Sequence, residues 1–248
     1  MSRALFAFPA AGGDGVSLSP LAYNTIDLTT GYTKLEPDGL GYSGETIAGG
    51  VNTITFNELA TGDAKYTFGG ADAQWPRHYA DLNDADGTRL TTDDTFLMVV
   101  KLSNFTYPSA ADFRVAVGCC VDPTATTTAA FDGYGIGRRM GNISTYRDGI
   151  QVQLDSLNGN TNGFTYDSAD TIYGVVVRTG TRHAGNTVFG ELSGAAASTA
   201  QYTQKSNQSV TASQDWSLFV AVAMTSTGTV SAGESIAFKA EYQIIKLR

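Results

Sequence analysis

IAFKAEYQIIKL (236–247) alternates apolar and polar residues with a period of two. Ile236, Phe238, Ala240, Tyr242 and Ile244 fall on one side; Ala237, Lys239, Glu241 and Gln243 fall on the other. That period is the pleat of a half-buried β-strand, because successive side chains point to opposite faces of a sheet. The adjacent Ile244 and Ile245 break the phase, which predicts a bulge or a stretch buried on both sides. Upstream, TFLMVVKL (95–102), FRVAVGCC (113–120), IQVQL (150–154), TIYGVVVRT (171–179) and WSLFVAVAMT (216–225) are each rich in β-branched and aromatic residues. Clusters of Gly, Asn, Asp, Ser and Thr separate them. VNTITFNEL (51–59) alternates as well, with Asn52, Ile54 and Phe56 on one side. The series predicts an all-β fold, an antiparallel β-sandwich. Few turns follow the tight Asn-Gly pattern, so long crossing connections are expected, as in a jelly roll or Greek key.

Outside these strands the pattern weakens. Residues 1–22 (MSRALFAFPAAGGDGVSLSPLA) mix apolar side chains with Gly and Pro and show no period. Leu5, Phe6 and Phe8 are costly to leave in water. The segment reads as an extended N-terminal arm that buries them on a partner, with residues 23–248 forming one sandwich domain. YNTIDLTTGYTKL (23–35) reads as a strand pair or an irregular edge around Gly31, and AKYTFGG (64–70) as a short strand. Residues 70–94 read as a long polar stretch, and residues 193–214 as one strand with a loop. No internal repeat of fixed period appears, which argues against propellers and solenoids.

Composition narrows the function classes. Charged residues make up 16% of the 248, the net charge is −8, and there are two His and two Cys. A net negative chain is a poor fit for nucleic acid and for an anionic membrane surface. No apolar run reaches the length of a membrane span. Cys119 and Cys120 are adjacent at the end of a strand pattern, where a bond between them is geometrically disfavoured. They read as small apolar fillers. The run at the N-terminus is broken by Pro9 and lacks the uninterrupted apolar core of a signal peptide.

The order TFLMVVKL, FRVAVGCC, FDGYGIGRR, GIQVQL, TIYGVVVRT, WSLFVAVAM and IAFKAEYQIIKL resembles the concanavalin A-like jelly roll, the group that includes laminin-G-like and pentraxin-like domains. The resemblance covers about residues 50–248 and is one of pattern. It implies a sandwich that binds glycans or proteins, with calcium held in loops in many members. The Thr-, Ala- and Gly-rich composition and the arm are similar to structural proteins of tailed bacteriophages. That likeness implies a virion location at the particle surface, after synthesis in the host cytoplasm without a signal peptide.

Candidate sites follow from residue type and spacing. Asp81-Leu82-Asn83-Asp84-Ala85-Asp86-Gly87 has the oxygen density and turn glycine of a calcium loop. With Gly87 in the sixth position, Asp84, Asp86 and Asp93 fall at ligand positions, but Leu82 occupies the first. The alternative is an Asx-rich turn without metal. Trp75, Arg77 and Tyr79 in AQWPRHY (73–79), and Tyr134 in FDGYG (131–135), offer aromatic platforms in predicted loops. Tyr and Trp combine apolar area with a polar tip, so they suit sugars and protein interfaces alike; core packing is the alternative for Trp75. Trp216 opens an apolar strand and reads as core. Arg138, Arg139, Arg147, Arg178 and Arg182 concentrate in one stretch of an acidic protein. They read as partners of the chain's own Asp residues or as contacts to an acidic neighbour.

Catalytic constellations are hard to assemble. The Glu-x-Asp-x-x-Glu string that the resemblance associates with glycan cleavage is absent. Asp93 and Asp94 are adjacent, so on a strand they point opposite ways. Gly41-Tyr42-Ser43-Gly44-Glu45 does not form a Gly-x-Ser-x-Gly elbow. His78 and His183 read as loop or surface residues. The expectation is a non-enzymatic virion structural protein, decorating or cementing the capsid through Leu5, Phe6 and Phe8, with the major capsid protein or its own copies as partners in a homo-oligomer. The alternative is a fibre or receptor-binding domain that recognises host-surface glycans through Trp75, Arg77, Tyr79, Tyr134, Arg138 and Arg139. No cofactor other than calcium is expected.

Overall fold

The computed structural model describes residues 22–35, 42–62, 77–125, 133–140, 147–151, 171–180, 182–191, 202–204, 211–226 and 228–247. Leu5, Phe6, Phe8 and Trp75 lie outside the described residues, as does the predicted strand at 64–70.

In chain order the strands are β1 (Asn24–Thr25), β2 (Thr33–Leu35), β3 (Tyr42–Ala48), β4 (Val51–Phe56), β5 (Arg77–Asp81), β6 (Thr95–Thr106) and β7 (Ala111–Cys120). Then come β8 (Gly133–Met140), β9 (Arg147–Gln151), β10 (Thr171–Thr179), β11 (Arg182–Glu191), β12 (Tyr202–Gln204), β13 (Ser217–Ser226) and β14 (Ser235–Lys246). They form two sheets with every ladder antiparallel. The larger runs β12-β11-β10-β6-β14-β4-β3, with β1 added beside β14; the smaller runs β2-β5-β13-β7-β8-β9. Sequence neighbours such as β5, β6 and β7 alternate between sheets, which is the crossing connectivity expected of a jelly roll. The fold is all-β, as the alternation predicted.

The core lies between the sheets. From the larger sheet it takes Ile54, Phe56, Phe96, Met98, Val100, Leu102, Ile236, Phe238 and Ala240, all buried. From the smaller it takes Val115, Val117, Cys119, Leu218, Val220 and Val222. Removing one such side chain from water is worth about 1.5–3 kcal/mol, so the interface between sheets dominates the stability. The run WSLFVAVAMT is unbroken rather than alternating because both faces of β13 are covered: Phe219 and Ala221, on the face away from the core, are also 0% exposed. Trp216 is core as predicted, edge-on to Phe96 with ring centroids 6.1 Å apart. Both cysteines are buried and unbonded.

Four details differ from the sequence reading. The phase break at Ile244–Ile245 produces no bulge, since both keep their register with Met98 and Leu97. The irregularity lies in β6 instead, where an extra residue opposite Ala237–Lys239 puts Asn104 at a φ of 55°; Asn tolerates that left-handed conformation. Residues 23–35 are not a strand pair: β1 joins the larger sheet and β2 the smaller, so the segment crosses between them. Asn52 fastens the crossing, accepting from the Leu28 amide at 2.9 Å and donating to the Ile26 carbonyl at 2.8 Å. A tight hairpin that the composition did not announce joins β3 to β4 through Gly49 and Gly50, with φ of 58° and 79°. That is the turn geometry glycine favours between twisted strands. Finally, the polar stretch at 70–94 contains β5.

Candidate functional site

β5 decides the fate of the predicted aromatic platform. Its sequence, RHYAD, pairs on one side with β2 and on the other with β13. Pleating sends Arg77 and Tyr79 to the outer face of the smaller sheet and His78 inward. Arg77 was expected to reach a partner or a glycan, and it does not: it is 0% exposed. Its Nε donates to the Pro123 carbonyl at 2.6 Å and its Nη2 donates to the Ala125 carbonyl. Burial pulls the guanidinium pKa down to about 10, against the opposing influence of Cys120, Asp122 and Tyr79. It stays charged at neutral pH and pins the 121–125 loop onto the sheet. Tyr79 is half-buried, in register with Phe219 and Thr33.

His78 is not a surface residue either, with 2% exposure. Its Nε2 lies 3.0 Å from Glu45 Oε1, and Lys34 Nζ reaches the same oxygen at 2.9 Å. Lys34 and His78 face each other across β2 and β5, while Glu45 comes from β3 of the larger sheet. The cluster is therefore a clasp between the two sheets along their shared edge. Burial opposes the Glu45 carboxylate, but hydrogen bonds and charge from His78 and Lys34 prevail and hold its pKa below the usual carboxylate value. His183, expected in a turn, lies on β11, directly opposite Arg178.

The calcium loop is an Asx turn. Asp84 Oδ1 accepts from the amides of Asp86 and Thr88 at 3.0 and 2.9 Å, and Gly87 takes a φ of 80°. Asp93 is engaged elsewhere, accepting from Ser213 Oγ at 2.8 Å. Neighbouring Asp94 is held by the Thr91 amide and by Lys246 Nζ, at 2.7 and 2.9 Å. Asp84, Asp86 and Asp93 thus do not converge. Among the described residues no group of three or more His, Cys, Asp and Glu side chains could hold a metal ion.

The remaining candidates lie on β8. Tyr134 is in register with Cys119, on the core-facing side of the ladder. Arg138 stands between Val115 and Asp148 on that same side. Arg139 lies on the outer face, between Arg114 and Arg147. So Arg138 and Arg139, read together in sequence, belong to opposite faces. A second charged row crosses the larger sheet. Glu241 faces Lys101 in register, and its carboxylate lies 3.0 Å from both Lys101 Nζ and Lys239 Nζ. Lys101 Nζ also stands 5.9 Å from the centre of the Tyr23 ring. Sequence reading missed the His78–Glu45–Lys34 clasp and the placement of Arg114. The clasp joins residues of three strands, and no local spacing signals it.

No family model matches the chain, and no curated protein does. Solved structures do. The CBM2 module of the evolved Dit of Lactobacillus casei BL23 phage J-1 matches with a TM-score of 0.51 at 12% identity, over 88% of this chain and 90% of that one. A legume lectin-like domain from Entamoeba histolytica matches at 0.42 and 9% identity, over 89% and 92%. A family 7 alginate lyase matches at 0.43 and 13% identity, over 84% of each chain. At 12% identity the likeness to the phage module is one of fold alone, and it agrees with the strand order: the chain is an antiparallel β-sandwich of the jelly-roll kind.

Proposed function

We propose that the chain is a non-catalytic recognition module on the particle of a tailed bacteriophage, where it binds polysaccharide of the host surface. The observation that carries this reading is how the described structure uses its reactive groups. His78, Glu45 and Arg77 are all spent inside the fold, as a clasp between sheets and as the anchor of a loop. Among the described residues, what the sandwich offers to the outside is sheet face and ladder rather than a nucleophile with its base. The likeness to a phage CBM2 module, a carbohydrate-binding module by its designation, supports the same reading. Purified protein on a broad glycan array tests it. Saturable binding to a defined set of glycans is the expected result, and a silent array would remove the reading.

A second reading, decoration or cementing of the capsid, is favoured by the apolar residues Leu5, Phe6 and Phe8. These would bury on the major capsid protein or on another copy of the chain. Copy number in purified particles separates the two. A number comparable to that of the major capsid protein supports decoration, and a handful supports a tail-borne binding module.

A further inference from the structure

The two sheets end in β12 and β3 on the larger and in β2 and β9 on the smaller. The last strand of a sheet offers unpaired amides and carbonyls to any other strand, so proteins keep such strands short or charged. β12 and β2 are three residues long, and β9 carries Arg147 and Asp148 among its five. β3 has neither protection. It runs for seven residues, Tyr42–Ala48, without Lys, Arg or Pro. Its one charged side chain, Glu45, turns inward and is engaged by His78 and Lys34. Gly49 and Gly50 alone form the turn to β4, so Ala48 and Val51 bond to each other across the hairpin. Bonded and unbonded positions alternate along an antiparallel ladder. Thr46 therefore turns its amide and carbonyl to β4, whereas Glu45 and Ile47 turn theirs away from the sheet. Among the described residues no hydrogen bond meets the outward backbone groups of Glu45 or Ile47. The strand is also open to water: Ser43, Thr46 and Ala48 are exposed, and a side chain built at Gly44 meets nothing within 4 Å.

We propose that β3 is the contact through which the chain pairs with a second copy of itself, edge to edge and antiparallel about a two-fold axis at Thr46. The inference is independent of what the sandwich binds. In that register the edge is complementary to itself. Glu45 of one copy meets Ile47 of the other, so both outward residues find amide and carbonyl partners at once. Thr46 faces Thr46, a favourable cross-strand pair, and Gly44 faces Ala48. An axis at Glu45 instead sets two carboxylates directly opposite, which destabilises a sheet. The outer-face neighbours on β4, Val51, Thr53 and Thr55, are uncharged and half-buried, so the two copies bring no like charges together there. A strand of another protein has to supply this match through its own sequence. A second copy supplies it by symmetry, and a two-fold contact closes at a pair. The two larger sheets then continue into one another.

The test is sedimentation velocity on the full chain over a wide range of concentration, beside the variants Thr46→Lys and Thr46→Glu at that exposed position. The parent should show a reversible monomer–dimer equilibrium. Each chain has a net charge of −8, so the pair should tighten as salt screens the repulsion. Either variant alone sets like charges opposite each other at the axis and should weaken pairing roughly tenfold or more. Mixed in equal amounts, the two variants should regain it as a heterodimer, because opposite charges then meet. In the parent, deuterium exchange at the Glu45 and Ile47 amides should slow as concentration rises. A parent that stays monomeric throughout overturns the proposal and leaves the edge to a strand of another protein. Dimers unaffected by either variant, dimers weakened by salt, or dimers that leave the two amides unprotected place the contact elsewhere and overturn it too. A mixture that fails to pair, where each variant alone has lost the parent's dimer, overturns the two-fold axis at Thr46. None of these outcomes bears on the glycan array, which tests what the sandwich binds.

Discussion

On the larger sheet, Glu241 stands opposite Lys101 and shares its carboxylate with Lys239. On the smaller sheet, Arg114, Arg139 and Arg147 stand opposite one another with no acid in the row. Both rows lie on outer faces of one sandwich and are built from the same ladder geometry. The first is complete within the chain, because each cation has an anion within salt-bridge distance. The second is not complete in its own register. Cross-strand pairs contribute about 0.2–1 kcal/mol each, with sign set by charge. The larger sheet thus gains from its row, while on the smaller sheet the register by itself supplies no such pair.

The comparison presumes that both faces ride on one rigid sandwich, and the largest effects test that presumption. Trp216 is fully buried, edge-on to Phe96, with the Arg178 guanidinium 4.8 Å from its ring centre. Trp216→Ala should cost about 3–5 kcal/mol, read as a lower denaturant midpoint. A loss under 1 kcal/mol would show that the sheets are not held by this core. Glu45→Ala should cost about 1–3 kcal/mol, because it leaves His78 buried without the carboxylate it faces. A neutral outcome in equilibrium unfolding would mean that the edge between β2 and β3 is not clasped by this cluster.

The larger sheet's row can be broken by reversing its anion. Glu241→Lys makes three cations adjacent and should cost about 1–2 kcal/mol, from two partly buried pairs worth up to about 1 kcal/mol each. The same row carries a pH signature. Burial opposes the Glu241 carboxylate, but hydrogen bonds and charge from Lys239 and Lys101 prevail and keep its pKa below the ordinary value. The unfolded chain therefore binds that proton more readily than the folded one. The stabilisation is complete above the unfolded value of roughly 4.3 and is lost as pH falls through the folded value. Glu241→Gln should flatten the acid limb of the stability profile by that share. A limb identical to the parent's would show that Glu241 gains nothing from its lysines.

How legible each row was follows from the kind of signal it leaves. The larger sheet's row sits in the most regular alternation of the chain, and the phase of IAFKAEYQIIKL already placed Lys239 and Glu241 on the outer face. The core was legible for the same reason: a period of two is written into consecutive residues. β5 was not, because RHYAD buries Arg77 and His78, and polar residues in a strand look like a loop until their partners arrive. Those partners, Pro123, Ala125 and Glu45, come from 33 to 48 positions away. The smaller sheet's row was half legible. A concentration of arginines was visible and the pleat parts Arg138 from Arg139, but only register puts Arg139 opposite Arg114 and Arg147. Register is a property of pairs of strands, so it cannot be read from either strand by itself.

The smallest expected effect bears most directly on the difference between the two faces. Arg139 is the middle of its row, so Arg139→Glu would turn two like-charge oppositions into two complementary ones, giving the smaller sheet the pattern that the larger one already has. Each opposition is worth about 0.2–1 kcal/mol. The variant should therefore be more stable than the parent by up to about 1 kcal/mol after allowance for screening at the surface. The gain should shrink as salt rises, because screening weakens the repulsion it relieves. A destabilised variant would mean that Arg139 already has an acidic partner from elsewhere in the chain. The two rows would then be alike.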